Sequence, residues 1–318
     1  MIVAIDLGGS KCAIALGQPD GTVLARARFA TRPDRGPEVV IAEMIATVNQ
    51  LREQVAGTLF RINVASVGPF DPVSGHLLSP PNFPGWDAVP LRHRLQEAFG
   101  VGVGIENDAN AAAWGEFKLG AGRGSNAMLY VTVSTGIGCG LVLNGRLWRG
   151  FRSGAGELGH QTVMPFGGPS CGCGNEGCLE ALASGTAIVR AAAERLDHVR
   201  TPELWRLCRG DRQALRATDV AVAAAAGEPE ARRIWETAVT WLGVGLANAI
   251  NIVSPDCLII GGGVAHAGDA LIAPLRLALR QRVRLMPIDR MELRTATLGD
   301  DAGLMGALVL PEPEVDSF

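Results

Sequence analysis

Two short runs in this 318-residue chain combine carboxylate or hydroxyl groups with unhindered backbone in the way polyphosphate handling requires. The first is Asp6-Leu7-Gly8-Gly9-Ser10-Lys11 and the second is Ser134-Thr135-Gly136-Ile137-Gly138-Cys139-Gly140. Glycine lets the chain approach a ligand closely and turn through positive φ, so such turns can aim amide N–H groups at phosphate oxygens. Asp6, Ser10 and Lys11 add a carboxylate, a hydroxyl and a cation, a set suited to a metal-bound polyphosphate. Neither run is a P-loop, since G-x-x-x-x-G-K-[ST] does not occur, and neither is a dinucleotide fingerprint, since the chain turns back into a strand after Ile5. A third group stands apart from both. His160, Cys171, Cys173 and Cys178 supply one imidazole and three thiolates, a closed Cys3His set of the kind that holds structural Zn2+, and intervening glycines let a short loop wrap the ion. Redox and core roles are the competing readings of these cysteines.

The elements that must position these groups follow from periodicity. Apolar runs at 2–5, 12–16 and 22–28, separated by the Gly8-Gly9 turn and the Asp20-Gly21 hairpin signal, predict a three-stranded antiparallel start. A helix at 37–55 and a strand at 62–67 follow, giving the order β-β-β-α-β. The same order begins again in mid-chain, with strands at 127–133, 140–143 and 146–148 around a glycine turn and an Asn144-Gly145 hairpin signal. Beyond it the pattern predicts helices at 185–196, 219–226 and 228–253, a buried strand at 257–260, a Gly261-Gly262-Gly263 turn and a helix at 270–284. A last helix at 302–310 lies too far downstream to close the second half and is expected to return to the first.

Composition narrows the function classes. With 29 basic against 32 acidic residues the net charge is −3 and no basic tract occurs, which argues against nucleic acid or an anionic membrane as the main partner. Hydrophobic residues are 47% but aromatics only 5%, so the core must be built from Ala, Val, Leu and Ile. The uncharged stretch 237–255 approaches bilayer length, yet Thr240, Asn248 and Asn251 within it favour a buried helix. Seven cysteines without an export signal argue against a disulfide framework, and Cys12, Cys139, Cys208 and Cys257 read as small core residues. His76, His93, His198 and His266 read as isolated surface or loop residues. The opening residues carry no basic n-region and no small-residue cleavage site, the pattern expected of a cytoplasmic protein.

Six segments in order carry a family resemblance: D-L-G-G-S-K (6–11), P-N-F-P-G-W (81–86), E-N-D-A-N (106–110), S-T-G-I-G-C-G (134–140), E-L-G-H (157–160) and C-G-C-G-N-E-G-C-L-E (171–180). Together they span nearly the whole chain, which resembles the sugar kinases of the ROK (repressor, open reading frame, kinase) family, within the actin/hexokinase/Hsp70 ATPase superfamily, and most of all their bacterial glucokinase branch. The resemblance implies an α/β, two-domain actin-like ATPase (ribonuclease H-like) fold with a central cleft. A small domain of 1–107 plus 301–318 would face a large domain of 108–300 that carries the zinc loop. It further implies ATP held by Asp6, Gly8, Gly9, Ser10, Lys11, Thr135, Gly136 and Gly138, with Gly262 and Gly263 beside the adenosine and Mg2+ oriented by Asp6. Asn82, Asn107, Asp108, Glu157, His160 and Glu180 would bind a hexose, and Asp108 would be the general base. The alternative reading of Asp108 is a helix N-cap, since 109–117 reads as a good helix. The Cys3His spacing matches the family's own zinc pattern, and a homodimer or larger homo-oligomer is implied as well.

Departures from the family pattern are Ser10 in place of Thr, Ser134 in place of Gly, the Pro69-Phe70 pair and Cys139 in place of Gly. The hydroxyls are kept, while the last two bear on a pocket wall. Glucose is the expected acceptor, with an N-acetylglucosamine or N-acetylmannosamine kinase or a fructokinase as alternatives and polyphosphate as an alternative donor. A sugar-responsive repressor is the rival from another class, and it calls for a helix-turn-helix for which the sequence carries no signal.

Overall fold

In the computed structural model, which describes residues 1–311, the first strand β1 (Ile2–Leu7) is buried on both faces and central to its sheet. A strand covered on both sides must be apolar throughout, as Ile-Val-Ala-Ile is. It pairs antiparallel with β2 (Lys11–Gly17), which pairs antiparallel with the edge strand β3 (Val23–Ala30). Helix α1 (Pro37–Arg52) then crosses to β4 (Arg61–Ser66), parallel to β1, and α2 (Leu91–Phe99) crosses to β5 (Gly102–Asn107), parallel to β4. Helix α3 (Asp108–Leu119) closes the half.

The second half repeats this plan with a larger insert. Strands β6 (Met128–Val133), β7 (Ile137–Leu143) and β8 (Arg146–Trp148) form the antiparallel part. Five helices follow: α4 (Leu179–Ala183), α5 (Gly185–Ala193), α6 (Pro202–Leu207), α7 (Ala217–Ala225) and α8 (Pro229–Val253). They lead to β9 (Cys257–Gly261), parallel to β6, then α9 (Asp269–Arg282), β10 (Glu292–Thr295), parallel to β9, and α10 (Ala302–Val309). The two sheets have the orders β3-β2-β1-β4-β5 and β8-β7-β6-β9-β10, so corresponding strands occupy corresponding places. Composition of the first strands and hairpins announced this duplication. The short polar β10 and the glycine-containing β5 carry no alternation strong enough to be read beforehand.

The closing helices are exchanged between the halves. Helix α3 packs on β6 and β7 of the second sheet, whereas α10 packs on β1, β2 and β4 of the first, and the two helices pack on each other. The last helix therefore returns to the first half as its sequence position suggested. Their crossing is close because it is lined by small residues: a Cβ on Gly306 would collide with the carbonyl oxygen of Ala111, and one on Gly115 would lie 2.9 Å from the carbonyl oxygen of Ala302. Ala4, Ala15 and Ala65 face this layer from the first sheet, with Met128, Tyr130 and Ile259 opposite. On the outer face of the first sheet Ile5, Ile14 and Val64 bury against Ile41, Met44 and Val48 of α1. Leu242, Leu246 and Ile250 of α8 belong to the core behind the second sheet. The uncharged stretch is thus a core helix, and among the described residues no helix is long and apolar enough to cross a membrane. Cys12, Cys139, Cys208 and Cys257 are all buried and free.

Candidate active site

The two glycine turns occupy equivalent places, one between β1 and β2 and one between β6 and β7. The first is closed by the Gly8 amide donating to Lys11 O at 3.0 Å, and the Thr31 hydroxyl ties it down through Gly8 O at 2.7 Å. A Cβ on Gly9 would stand 3.0 Å from Cβ of Asn82, so this turn faces the 81–86 loop. That loop is anchored by its aromatics: Phe83 and Trp86 are buried edge to face at 4.8 Å, and the Trp86 indole donates to Pro33 O. In the second turn the Ser134 amide donates to Gly136 O, while the Gly185 amide at the start of α5 donates to Ser134 O at 2.7 Å. Gly262 adopts φ 81° and its Cβ would collide with Val133 O, so the turn after β9 closes directly onto the end of β6.

Asp6 lies at the end of β1 under the start of α10, where a Cβ on Gly303 would be 3.1 Å from its carboxylate. Burial, reinforced by the charge of Asp108, pushes the Asp6 carboxyl up to about 7. A carboxylate held there against its own desolvation and a second acid is one that a divalent cation stabilises, so the site fits Mg2+. Lys11 pairs with Asp300 at 3.5 Å.

Asp108 opens α3, but the helix cap is its neighbour. Asn107 Oδ1 accepts from the amides of Ala109 at 2.9 Å and Asn110 at 3.2 Å, a cap worth about 1 kcal/mol. The N-cap reading of Asp108 is therefore corrected by one residue, and Asn107 keeps only its Nδ2 to offer a ligand. Burial holds the Asp108 carboxyl above the usual carboxylate range, the Ala109 amide opposes this, and the charge of Glu157 adds to it. Glu157 lies 4.0 Å from His160 Nε2, so the E-L-G-H run reaches the same region.

Glu180 has a task the sequence did not announce. Its Oε2 accepts from the Ile137 amide at 2.8 Å, and the absence of a Cβ on Gly136 leaves room for it. It is thereby attached to the second glycine turn, two residues beyond Cys178. Ser134, Thr135, Gly185, Thr218, Gly263 and Val264 line a cavity of about 450 Å³, within the size range of small-molecule sites. His266, read as an isolated residue, also lines it. No local signal marked Thr218 or His266, because they meet Ser134 only through the packing of α7 and the turn after β9. A second depression, of about 700 Å³ at the β10 edge, beside Arg123, Asp269 and Arg294, includes none of the residues singled out above.

The four metal-ligand atoms of His160, Cys171, Cys173 and Cys178 lie within 4.8 Å of one another. His160 Nδ1 is 3.6 Å from Cys171 Sγ, and Cys173 Sγ is 3.7 Å from Cys178 Sγ. Zn–S bonds of about 2.3 Å at tetrahedral angles place sulfurs about 3.8 Å apart, so the donor set and its spacing fit Zn2+. Burial and the neighbouring thiols push the Cys178 thiol up to about 12. Holding it as thiolate at neutral pH takes a cation.

Paired sheets of identical strand order, exchanged closing helices and a glycine turn at the equivalent place in each half define an actin-like ATPase fold. The chain belongs to the ROK family, whose model matches residues 2–313. It is 34% identical to the glucokinase of Halalkalibacterium halodurans over 99% of this chain and 96% of that protein. It is 36% identical to the glucokinase of Thermotoga maritima over 96% and 95%. Among solved structures it is similar to a ROK family glucokinase from Streptomyces griseus in complex with glucose and AMPPNP, with a TM-score of 0.81, 32% identity and coverage of 96% and 97% of the two chains.

Proposed function

We propose that this chain is an ATP-dependent hexose kinase that transfers the γ-phosphoryl group of ATP to the 6-hydroxyl of glucose. The observation that carries the reading is the placement of Asp108 at the start of α3, where the next residue, Ala109, abuts the second glycine turn, a Cβ on Gly138 standing 3.0 Å from its Cβ, and where the charge of Asp108 helps raise the Asp6 carboxyl beside the first turn. A base between a phosphate-binding turn and hydroxyl-binding side chains is what phosphoryl transfer to an alcohol needs.

In this reading Gly8, Gly9, Ser10 and Lys11 on one side and Thr135, Gly136 and Gly138 on the other hold the triphosphate, with the nucleoside in the cavity beside Gly262 and Gly263. Asp6 would hold Mg2+ directly or through water, and the ion would supply neutralisation of the charge spread over the phosphate oxygens. Asn82, Asn107, Glu157, His160 and Glu180 hydrogen-bond the sugar hydroxyls. Asp108 takes the proton from O6 as the O6–P bond forms and the bond from the γ-phosphorus to the bridging oxygen breaks, leaving ADP. His160, Cys171, Cys173 and Cys178 would hold a structural Zn2+, which would order the loop between Glu157 and Glu180. In the same reading the chain divides into 1–107 plus 301–318 and 108–300, with the sugar between the lobes; residues after 311 lie outside the described part. We extend the reading to a cytoplasmic homo-oligomer on the strength of the family alone.

A panel of glucose, mannose, fructose, N-acetylglucosamine and N-acetylmannosamine with Mg2+-ATP tests it, with ADP release as the readout. Glucose should give the highest kcat/KM, since a polar set of this kind rejects sugars that leave its members unpaired by as much as ~10⁴-fold. A higher value for an acetamido sugar or fructose would remove glucose and leave the kinase chemistry standing.

A further inference from the structure

The junction of β5 and α3 holds an ion pair on a buried carboxylate that none of the roles above uses. Arg149 Nε donates to Glu106 Oε2 at 2.6 Å, with the Glu106 side chain 3% exposed and Arg149 31% exposed. The partners come from different halves: Glu106 lies in β5 of the first sheet, and Arg149 directly follows β8 at the edge of the second. The other oxygen of Glu106 accepts from the Asn107 amide at 3.1 Å and from Asn110 Nδ2 at 3.0 Å. Asn110 is itself buried, and its Oδ1 has no partner, so Glu106 is what orients that side chain. One carboxylate thus gathers the cation from across the sheets and the residues on both sides of Asp108. On the other side, the loop leaving Arg149 is pinned by the Ala155 amide donating to Arg149 O at 2.9 Å and runs on into Glu157.

We propose that Arg149 is a positioning residue for the transfer step: by holding Glu106 it fixes Asn107, and with it the start of α3, so that Asp108 meets the acceptor hydroxyl. This rests on the kinase reading above. A buried carboxylate stripped of its cation must turn toward solvent or take up a proton, and either change loosens its hold on the Asn107 amide. Misplacement of a catalytic group by about 1 Å costs on the order of 10²-fold in rate. A purely structural Arg149 would instead lower the amount of folded protein and leave turnover per folded molecule unchanged.

The test compares Arg149→Met, Arg149→Lys and the double variant Glu106→Gln/Arg149→Met with the wild type, using Mg2+-ATP and glucose and counting only folded protein. Arg149→Met should lose about 10- to 100-fold in kcat with KM for ATP within about twofold, because the base is displaced and nucleotide contacts are not. Arg149→Lys should fall between, since it keeps the charge without the planar fork. The double variant should regain part of the loss, because it leaves no unpaired buried charge. Arg152→Met, which removes the exposed pair with Asp71, is the loop control and should stay within about threefold. Should Arg149→Met not fold, the lysine and double variants decide on the same kcat criterion. Wild-type kcat in the Arg149 variants, or an equal loss in Arg152→Met, overturns the positioning role. A wild type unable to phosphorylate any sugar in the panel overturns the kinase reading itself, which is a different result.

Discussion

Nδ1 of His160 lies 3.6 Å from Sγ of Cys171, which turns its other nitrogen, Nε2, toward Glu157 at 4.0 Å. The resemblance implies this histidine in two sets at once, the metal ligands and the sugar ligands, and the ring orientation is compatible with both. In the proposed reading, coordination through Nδ1 would leave Nε2 free to donate to Glu157 or a sugar hydroxyl. A structural ion can in this way orient a substrate-binding group without entering the reaction.

Protein purified without a histidine tag is accordingly expected to carry about one zinc per chain by elemental analysis. Cys171→Ser should lose that zinc and lower the melting temperature, because metal binding contributes folding free energy. Stoichiometric zinc in this variant would mean that the four residues do not form the site.

Asp108→Asn should lower kcat by ~10²–10⁴-fold with little change in KM for sugar, since the amide still hydrogen-bonds but cannot accept the proton. The check is steady-state kinetics on glucose. Activity within tenfold of the wild type would take Asp108 out of the mechanism.

The acid limb of kcat/KM should lie above the range of an ordinary carboxylate. The base works deprotonated, and burial together with the charge of Glu157 raises the Asp108 carboxyl, so activity is lost as pH falls through that raised value. Glu157→Gln removes one raising influence, and the limb should therefore move to lower pH. A pH profile of the free enzyme's kcat/KM reads this directly, and a limb that stays put or moves upward would falsify the coupling.

Gly306→Ala is expected to destabilise the protein by about 1–3 kcal/mol, the usual penalty for forcing a methyl into a filled contact. Its Cβ would strike the Ala111 carbonyl oxygen, which sits in α3 and cannot yield without moving the helix. Urea denaturation monitored by tryptophan fluorescence measures the loss. An unchanged midpoint would show that the crossing of α3 and α10 has slack.

Much of this protein is written locally. Asp6 to Lys11, Ser134 to Gly140 and the Cys171 to Cys178 loop stand out as candidate sites because the chemistry proposed for them comes from residue type and short spacing, which the chain itself enforces. The duplicated β-β-β order is legible for a similar reason, since hairpin turns and apolar alternation act over a few residues. What the sequence could not announce are contacts between residues far apart that have no reason to be paired until two sheets are in place. Glu106 and Arg149 are 43 positions apart, as are Ile137 and Glu180. Glu116, fully buried in α3, accepts from the Thr297 amide 181 positions away and from the Leu298 amide beside it. A glutamate at the end of an alanine-rich helix reads as a surface residue, and only the exchange of α3 and α10 between the halves takes it out of water and supplies the donors that compensate its burial. Local chemistry singled out the candidate groups, and tertiary packing decided which neighbours surround them.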